Sequence, residues 1–156
     1  MKANSNTALA ITLRGFFTDY LPQQRAMSPH TVLSYRDSLK LMLQFVAGEK
    51  ADPSQLSIER LTVEQVTAFL QHLEKDRHNS VRTRNVRLSA IHSFFRYLGG
   101  EHPEHLAQTQ RLLSVPFKRI ATREIQHLEF DEMQSMLDAI DQTTGEGRRD
   151  FCTAAN

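Results

Sequence analysis

Tryptophan is absent from this chain of 156 residues, and cysteine occurs once, at Cys152. The first absence leaves Phe and Leu to do most of the packing, because aromatic residues make up only 8% of the sequence. The second excludes a disulfide framework and any Cys-based metal site. No apolar run approaches the length needed to cross a bilayer and nothing resembles a signal peptide, so a cytoplasmic protein without a membrane partner is expected. No stretch alternates apolar and polar residues long enough to argue a strand. A Gly-rich phosphate cradle and a nucleophile elbow are also missing, so no cofactor and no small-molecule substrate are expected.

A further lack is local and concerns charge. Residues 77–100 contain no Asp or Glu, yet they hold Arg77, Arg82, Arg84, Arg87 and Arg96. Residues 105–123 are likewise basic only, while acidic residues gather at 49–76 and from Glu124 onward. The net charge of +1 conceals this segregation. Segregated charge of this kind points to a polyanionic partner.

What is present is a set of helices. In the segment that begins with residues 80–97, Ser80 is a good N-cap, and Val81, Leu88, Ile91 and Phe95, with Leu98 just after, recur at spacings that share one helix face. Gly99-Gly100 is read as its stop. At about 100° per residue the outward side carries Arg82, Thr83, Val86, Ser89, Ala90 and Ser93, with Arg87 on the flank. An exposed helix without carboxylates lacks the usual i,i+4 ion pairs. Guanidinium groups beside small residues suit a helix that enters a groove lined with phosphates. On the charges alone, an ordinary solvated basic face stays equally open.

The rest of the chain follows the same logic. Leu9, Leu13, Phe16, Phe17, Tyr20 and Leu21 predict a first helix ended by Pro22. Ser28-Pro29 opens a second, with Val32, Tyr35, Leu39, Met42 and Val46 inward and Gly48 closing it. His30, Ser34 and Asp37 show on its exposed half, with Thr31 near the edge and Arg36 and Lys40 on the flanks. Residues 49–61 read as a loop. Thr62 with Gln65 forms a capping-box pattern for a third helix lined by Val63, Val66, Phe69, Leu70 and Leu73, broken at His78-Asn79. Beyond Gly100, residues 103–114 read as a short helix and 115–125 as an extended connector. Leu128 to Asp141 starts a further amphipathic helix without a partner for its stripe, which implies missing sequence. His102 and His105, near Glu101 and Glu104, are read as surface residues and not as metal ligands.

This arrangement resembles the tyrosine recombinase (phage integrase) family. The features that carry the resemblance are Ser28-Pro29-His30-Thr31 with Tyr35, Leu39 and Phe45, and then Thr83-Arg84-Asn85, Arg87-Leu88-Ser89-Ala90-Ile91, Ser93-Phe94-Phe95 and Tyr97-Leu98. Pro116 with Lys118-Arg119 resembles that family's linker. The resemblance implies an all-α protein: a four-helix orthogonal bundle of the SAM-like core-binding type over residues 9–100, after a flexible start at 1–8. A connector at 101–127 and the start of a catalytic domain at 128–156 would follow. It implies double-stranded DNA as partner, with other recombinase subunits beside it. Contacts would come from Thr31, Ser34 and Arg36 on the second helix and from Arg82, Thr83, Arg84 and Arg87 on the fourth, Arg84 falling near the core side by phase but reaching out from the first turn. Lys118 and Arg119 would meet phosphates. The family's catalytic arginines, lysine, histidines and tyrosine lie in a domain downstream of these residues, so the chain as given is expected to bind DNA in recombination and not to act as an enzyme. Two readings of other classes stay open: a helical protein-interaction module, including an inhibitory recombinase remnant, and an unrelated helical DNA-binding regulator.

Overall fold

A computed structural model describes residues 5–48, 52–120 and Ser135; the side chains of residues 5–7 are outside the description. The expectations for 121–127, for the helix beginning at Leu128 and for Cys152 lie outside the described residues. Among those described there is no strand, as the sequence implies, and no helix is long and apolar enough to cross a membrane. The helices are α1 (Ser5–Gly15), α2 (Pro29–Ala47), α3 (Val63–Lys75), α4 (Val81–Glu101) and α5 (Leu106–Leu113), with short 3₁₀ turns at Pro53–Gln55, Ile58–Arg60 and Pro103–His105.

Three N-termini form as their sequences dictate. The Ser28 and Ser80 hydroxyls each accept a hydrogen bond from the amide three residues on, Thr31 and Thr83, both at 3.2 Å. Thr62 Oγ1 accepts from the Gln65 amide at 3.3 Å. Each bond satisfies a donor that the first turn leaves unpaired. Gly48 ends α2 at φ 84°, a left-handed conformation that a side chain would strain.

The first helix does not end at Pro22. At Phe16 it widens into a π-helical segment, Phe16–Gln24, that carries Pro22 inside it, and the Arg25 amide bonds the Tyr20 carbonyl five residues back at 2.9 Å. In an α-helix the ring of Pro22 would strike the Thr18 carbonyl and leave it without a donor. The wider turn accommodates the ring, and Gln23 Nε2 reaches that carbonyl at 3.4 Å.

Gly99-Gly100 does not stop α4 either; the helix continues to Glu101 and ends before Pro103, which cannot extend it. Gly99 serves close packing instead, since a β-carbon there would lie 3.0 Å from Thr109 Cγ2 on α5. Packing also continues past residue 100: Leu112 of α5 and Val115 are buried with the rest of the core. α5 packs on α4, and Ala90 and Ser93, expected to face outward, are buried in the bundle together with His92 and Phe94.

The core centres on Phe16, which is fully buried and meets Phe17, Tyr20, Phe94 and Tyr97 at ring distances of 5.1, 5.7, 5.4 and 5.6 Å. Gly15 admits this cluster, because a β-carbon there would come 2.6 Å from Tyr97 Oη. The group formed by residues 101–105 is used internally. His102 Nε2 lies 2.8 Å from Thr12 Oγ1, its Nδ1 is 3.1 Å from Glu104 Oε1, and His105 faces Glu59 at 3.8 Å. No cluster of His, Cys, Asp and Glu suited to a metal occurs among the described residues.

Candidate nucleic-acid interface

The N-terminal halves of α2 and α4 lie side by side and enclose a cleft lined by Ser34, Asp37, Ser38, Thr83, Val86 and Arg87. Both helices begin with the same device. Ser28 and Thr31 pair their hydroxyls at 2.9 Å, and Ser80 and Thr83 do so at 3.1 Å, so each cap is closed and the small polar side chains are held near the surface. Ser34 is exposed and Thr31 and Thr83 are half-buried. The partial positive charge at each helix N-terminus adds to the arginines nearby.

Three sequence-predicted site residues, Ser34, Thr83 and Arg87, thus share one cleft, and Arg82 is exposed one position before Thr83. Arg87 is half-buried and its Nε has no hydrogen-bond partner. Burial, together with the nearby Arg77 charge, lowers its pKa, and Asp37 opposes the change. It remains a cation at neutral pH, since a guanidinium stays protonated in proteins. Arg36 is exposed and sits 3.9 Å from Asp37 Oδ1. Asp37 is the carboxylate that the basic window of α4 meets in this cleft, a meeting that no local pattern in the sequence signals.

Arg84 and Lys118 stand elsewhere. Arg84 is only 6% exposed, and its Nη1 donates to the Pro116 carbonyl and to Asn85 Oδ1, each at 3.0 Å. Asn85 pairs with the backbone of Lys118 in both directions: Nδ2 donates to its carbonyl at 2.7 Å, and Oδ1 accepts from its amide at 3.1 Å. The Lys118 ammonium in turn lies 2.9 and 2.8 Å from the two oxygens of Glu74 on α3. Arg84 therefore faces the fold and not the solvent, as its phase near the core side of the helix suggested. Arg119, the next residue, is exposed. Asn85 and Glu74 are the residues that sequence reasoning missed. Nothing in residues 63–75 marks Glu74 as the partner of a lysine so distant in sequence.

This latch gives a direct expectation. Asn85→Ala removes both bonds to Lys118, each worth about 1 kcal/mol, so the connector should open roughly ten-fold more often or more. Trypsin should then cut after Lys118 and Arg119 correspondingly faster, with little change in thermal midpoint. Unchanged cleavage kinetics would mean that the bonds do not hold the connector.

His92 lies behind the same connector, 3% exposed, with Phe117 edge-on at 5.2 Å and Nε2 without a partner. Burial first, then the Arg96 and Arg84 charges, lower its pKa, while the Leu112 carbonyl raises it. The unfolded chain takes up this proton near its ordinary value of about 6.5, whereas the folded chain does so only at lower pH. His92 therefore costs no stability above about pH 6.5 and progressively more as pH falls below it, down to the folded pKa. Urea midpoints measured from pH 7.5 to 5 should fall more steeply in the native chain than in His92→Asn. Parallel curves would contradict this.

Residues 13–102 match the family model described as phage integrase, N-terminal SAM-like domain. The chain is 44% identical over 146 residues to an integrase/recombinase of Sinorhizobium fredii, covering 93% of this chain and 44% of that one. A second integrase/recombinase of that organism is 37% identical, covering 91% of this chain and 51% of its own length. Tyrosine recombinase XerC of Herpetosiphon aurantiacus is 31% identical, with 75% and 37% covered. The chain spans about half the length of the first two relatives. No solved structure matches it.

Proposed function

Since the chain belongs to the tyrosine recombinase (phage integrase) family, we propose that its helical bundle holds double-stranded DNA for site-specific recombination, beside other recombinase subunits and in the cytoplasm where the DNA is. The observation that carries this reading is the meeting of Ser34, Thr83 and Arg87 in one cleft between α2 and α4, with Arg82 exposed one position before Thr83. Arg82, Arg87, Arg36 and Arg119 are the phosphate-facing cations, and Thr31, Ser34 and Thr83 supply short donors that let the helices approach closely. Lys118 joins them only by leaving Glu74. Arg84 acts through the connector it holds.

Strand cleavage is not assigned to these residues. Tyr20 and Tyr97 lie against each other at 4.8 Å within the aromatic cluster, and burial raises the Tyr97 pKa, which makes its hydroxyl a poorer nucleophile. Tyr35 packs against the core.

Fluorescence anisotropy of a labelled duplex, titrated with the chain at several salt concentrations, tests the reading. Affinity should fall linearly on a log–log plot against salt, with a slope near −0.9 for each phosphate neutralised. A nicked duplex should yield no protein–DNA adduct that survives denaturation. Absence of binding at low salt, or affinity that ignores salt, would sink the proposal; an adduct would refute the assignment of cleavage elsewhere.

A further inference from the structure

We propose that Val86 is a specificity-determining residue that reads the C5-methyl group of a thymine in the major groove; this deepens, and rests on, the reading of the α2–α4 face as a duplex-binding surface. Val86 is 47% exposed, a branched apolar side chain left in water in the wall of the cleft between Thr83 and Arg87. The core does not require it: the buried positions of this helix are Arg84, Leu88 and the run from Ala90 to Phe95, with Leu98. A phosphate does not require it either, because backbone contacts are made by cations, hydroxyls and amides.

Asp37 in the same cleft sharpens the point. A carboxylate there repels a phosphate from the interior of the cleft, which suits base edges, while Arg82 and Arg36 outside it and Arg87 on its wall meet the backbone. Among the base edges of the major groove, the apolar group is the thymine methyl. A protein partner with an apolar patch is the competing occupant. It is disfavoured by surroundings in which Arg77, Arg82 and Arg87 share a segment, residues 77–100, that has no Asp or Glu.

The test begins by letting the protein choose its own duplex. The full chain is used to select bound duplexes from a random pool, and the selected duplex is then remade with uracil in place of thymine, which deletes only methyl groups. The native chain should lose about four-fold in affinity on the uracil duplex, the worth of one methyl group returned to water. Val86→Ala, at an exposed helical position where alanine folds well, should bind both duplexes alike, at the level of the native chain on uracil. A uracil penalty equal in the two proteins overturns the inference, as does a selection that returns no preferred thymine. In either of these cases salt-dependent binding would still stand, leaving the broader reading intact. Failure of the native chain to bind any duplex would defeat the broader reading and this inference with it.

Discussion

Replacing Arg82 and Arg87 together by alanine is expected to lower duplex affinity at low salt by about 10- to 100-fold and to reduce the salt slope by about two units. The two residues enter differently, and this fixes the order of the single variants. Arg82 is exposed, so its removal takes away one cation and about one unit of slope. Arg87 shares the cleft with Asp37 and interacts with it electrostatically. Arg87→Ala therefore removes a cation and also leaves the Asp37 carboxylate countered by Arg36 and no longer by Arg87, so it should cost more than Arg82→Ala. Asp37→Asn added to Arg87→Ala should restore part of the loss. An arginine that reads a guanine edge would behave otherwise, costing about 1–3 kcal/mol on the preferred sequence and little on others. Circular dichroism and the thermal midpoint guard against a folding explanation, because Arg87 is half-buried and its stem packs. Native affinity in the double variant would show that α4 does not face the DNA.

The division between what the sequence displayed and what it concealed follows the range of the interactions. The caps at Ser28, Thr62 and Ser80 use atoms three residues apart, and the stripes of α2, α3 and α4 follow helical period, so both were legible locally. Ser34, Thr83 and Arg87 were singled out on separate helices, and the packing of α2 on α4 brought them into one cleft. Where a distant partner decides, local rules misled. Pro22 reads as a stop only if the helix must remain α; the π segment avoids the clash. Gly99 reads as a stop until Thr109 occupies the space a side chain would need. Ala90 and Ser93 lie on the outward phase, but the packed bundle buries both. Lys118 reads as a free cation because Glu74 is distant in sequence. Arg84 is the informative case: its phase pointed inward while its charge pointed outward, and the structure reconciles the two by giving the guanidinium a backbone carbonyl, Pro116, inside the fold.

Phe16→Ala is expected to cost about 3–5 kcal/mol, the range for emptying a buried phenylalanine site. For a domain of this size that lowers the thermal midpoint by well over about ten degrees. The expected loss lies toward the upper end for a structural reason. Phe16 is fully buried among four aromatic rings borne by its own helical segment and by α4. Tyr97, the ring nearest to hand for filling the cavity, is held with its hydroxyl close to Gly15 and its ring 4.8 Å from Tyr20, so collapse is limited and the void persists. The same residue begins the π segment, so its removal also weakens the contacts that hold Pro22 within a helix. The effect should not reach the DNA surface except through the folded fraction. Phe16 sits against Phe94 and Tyr97 on the C-terminal half of α4, whereas Thr83, Val86 and Arg87 occupy the first half. At a temperature where the variant remains folded by circular dichroism, its duplex affinity and salt slope should equal those of the native chain. A thermal midpoint within a degree or two of native would show that the aromatic cluster is not the centre of the core. A lost salt slope in a fully folded variant would show that the two halves of α4 do not act separately.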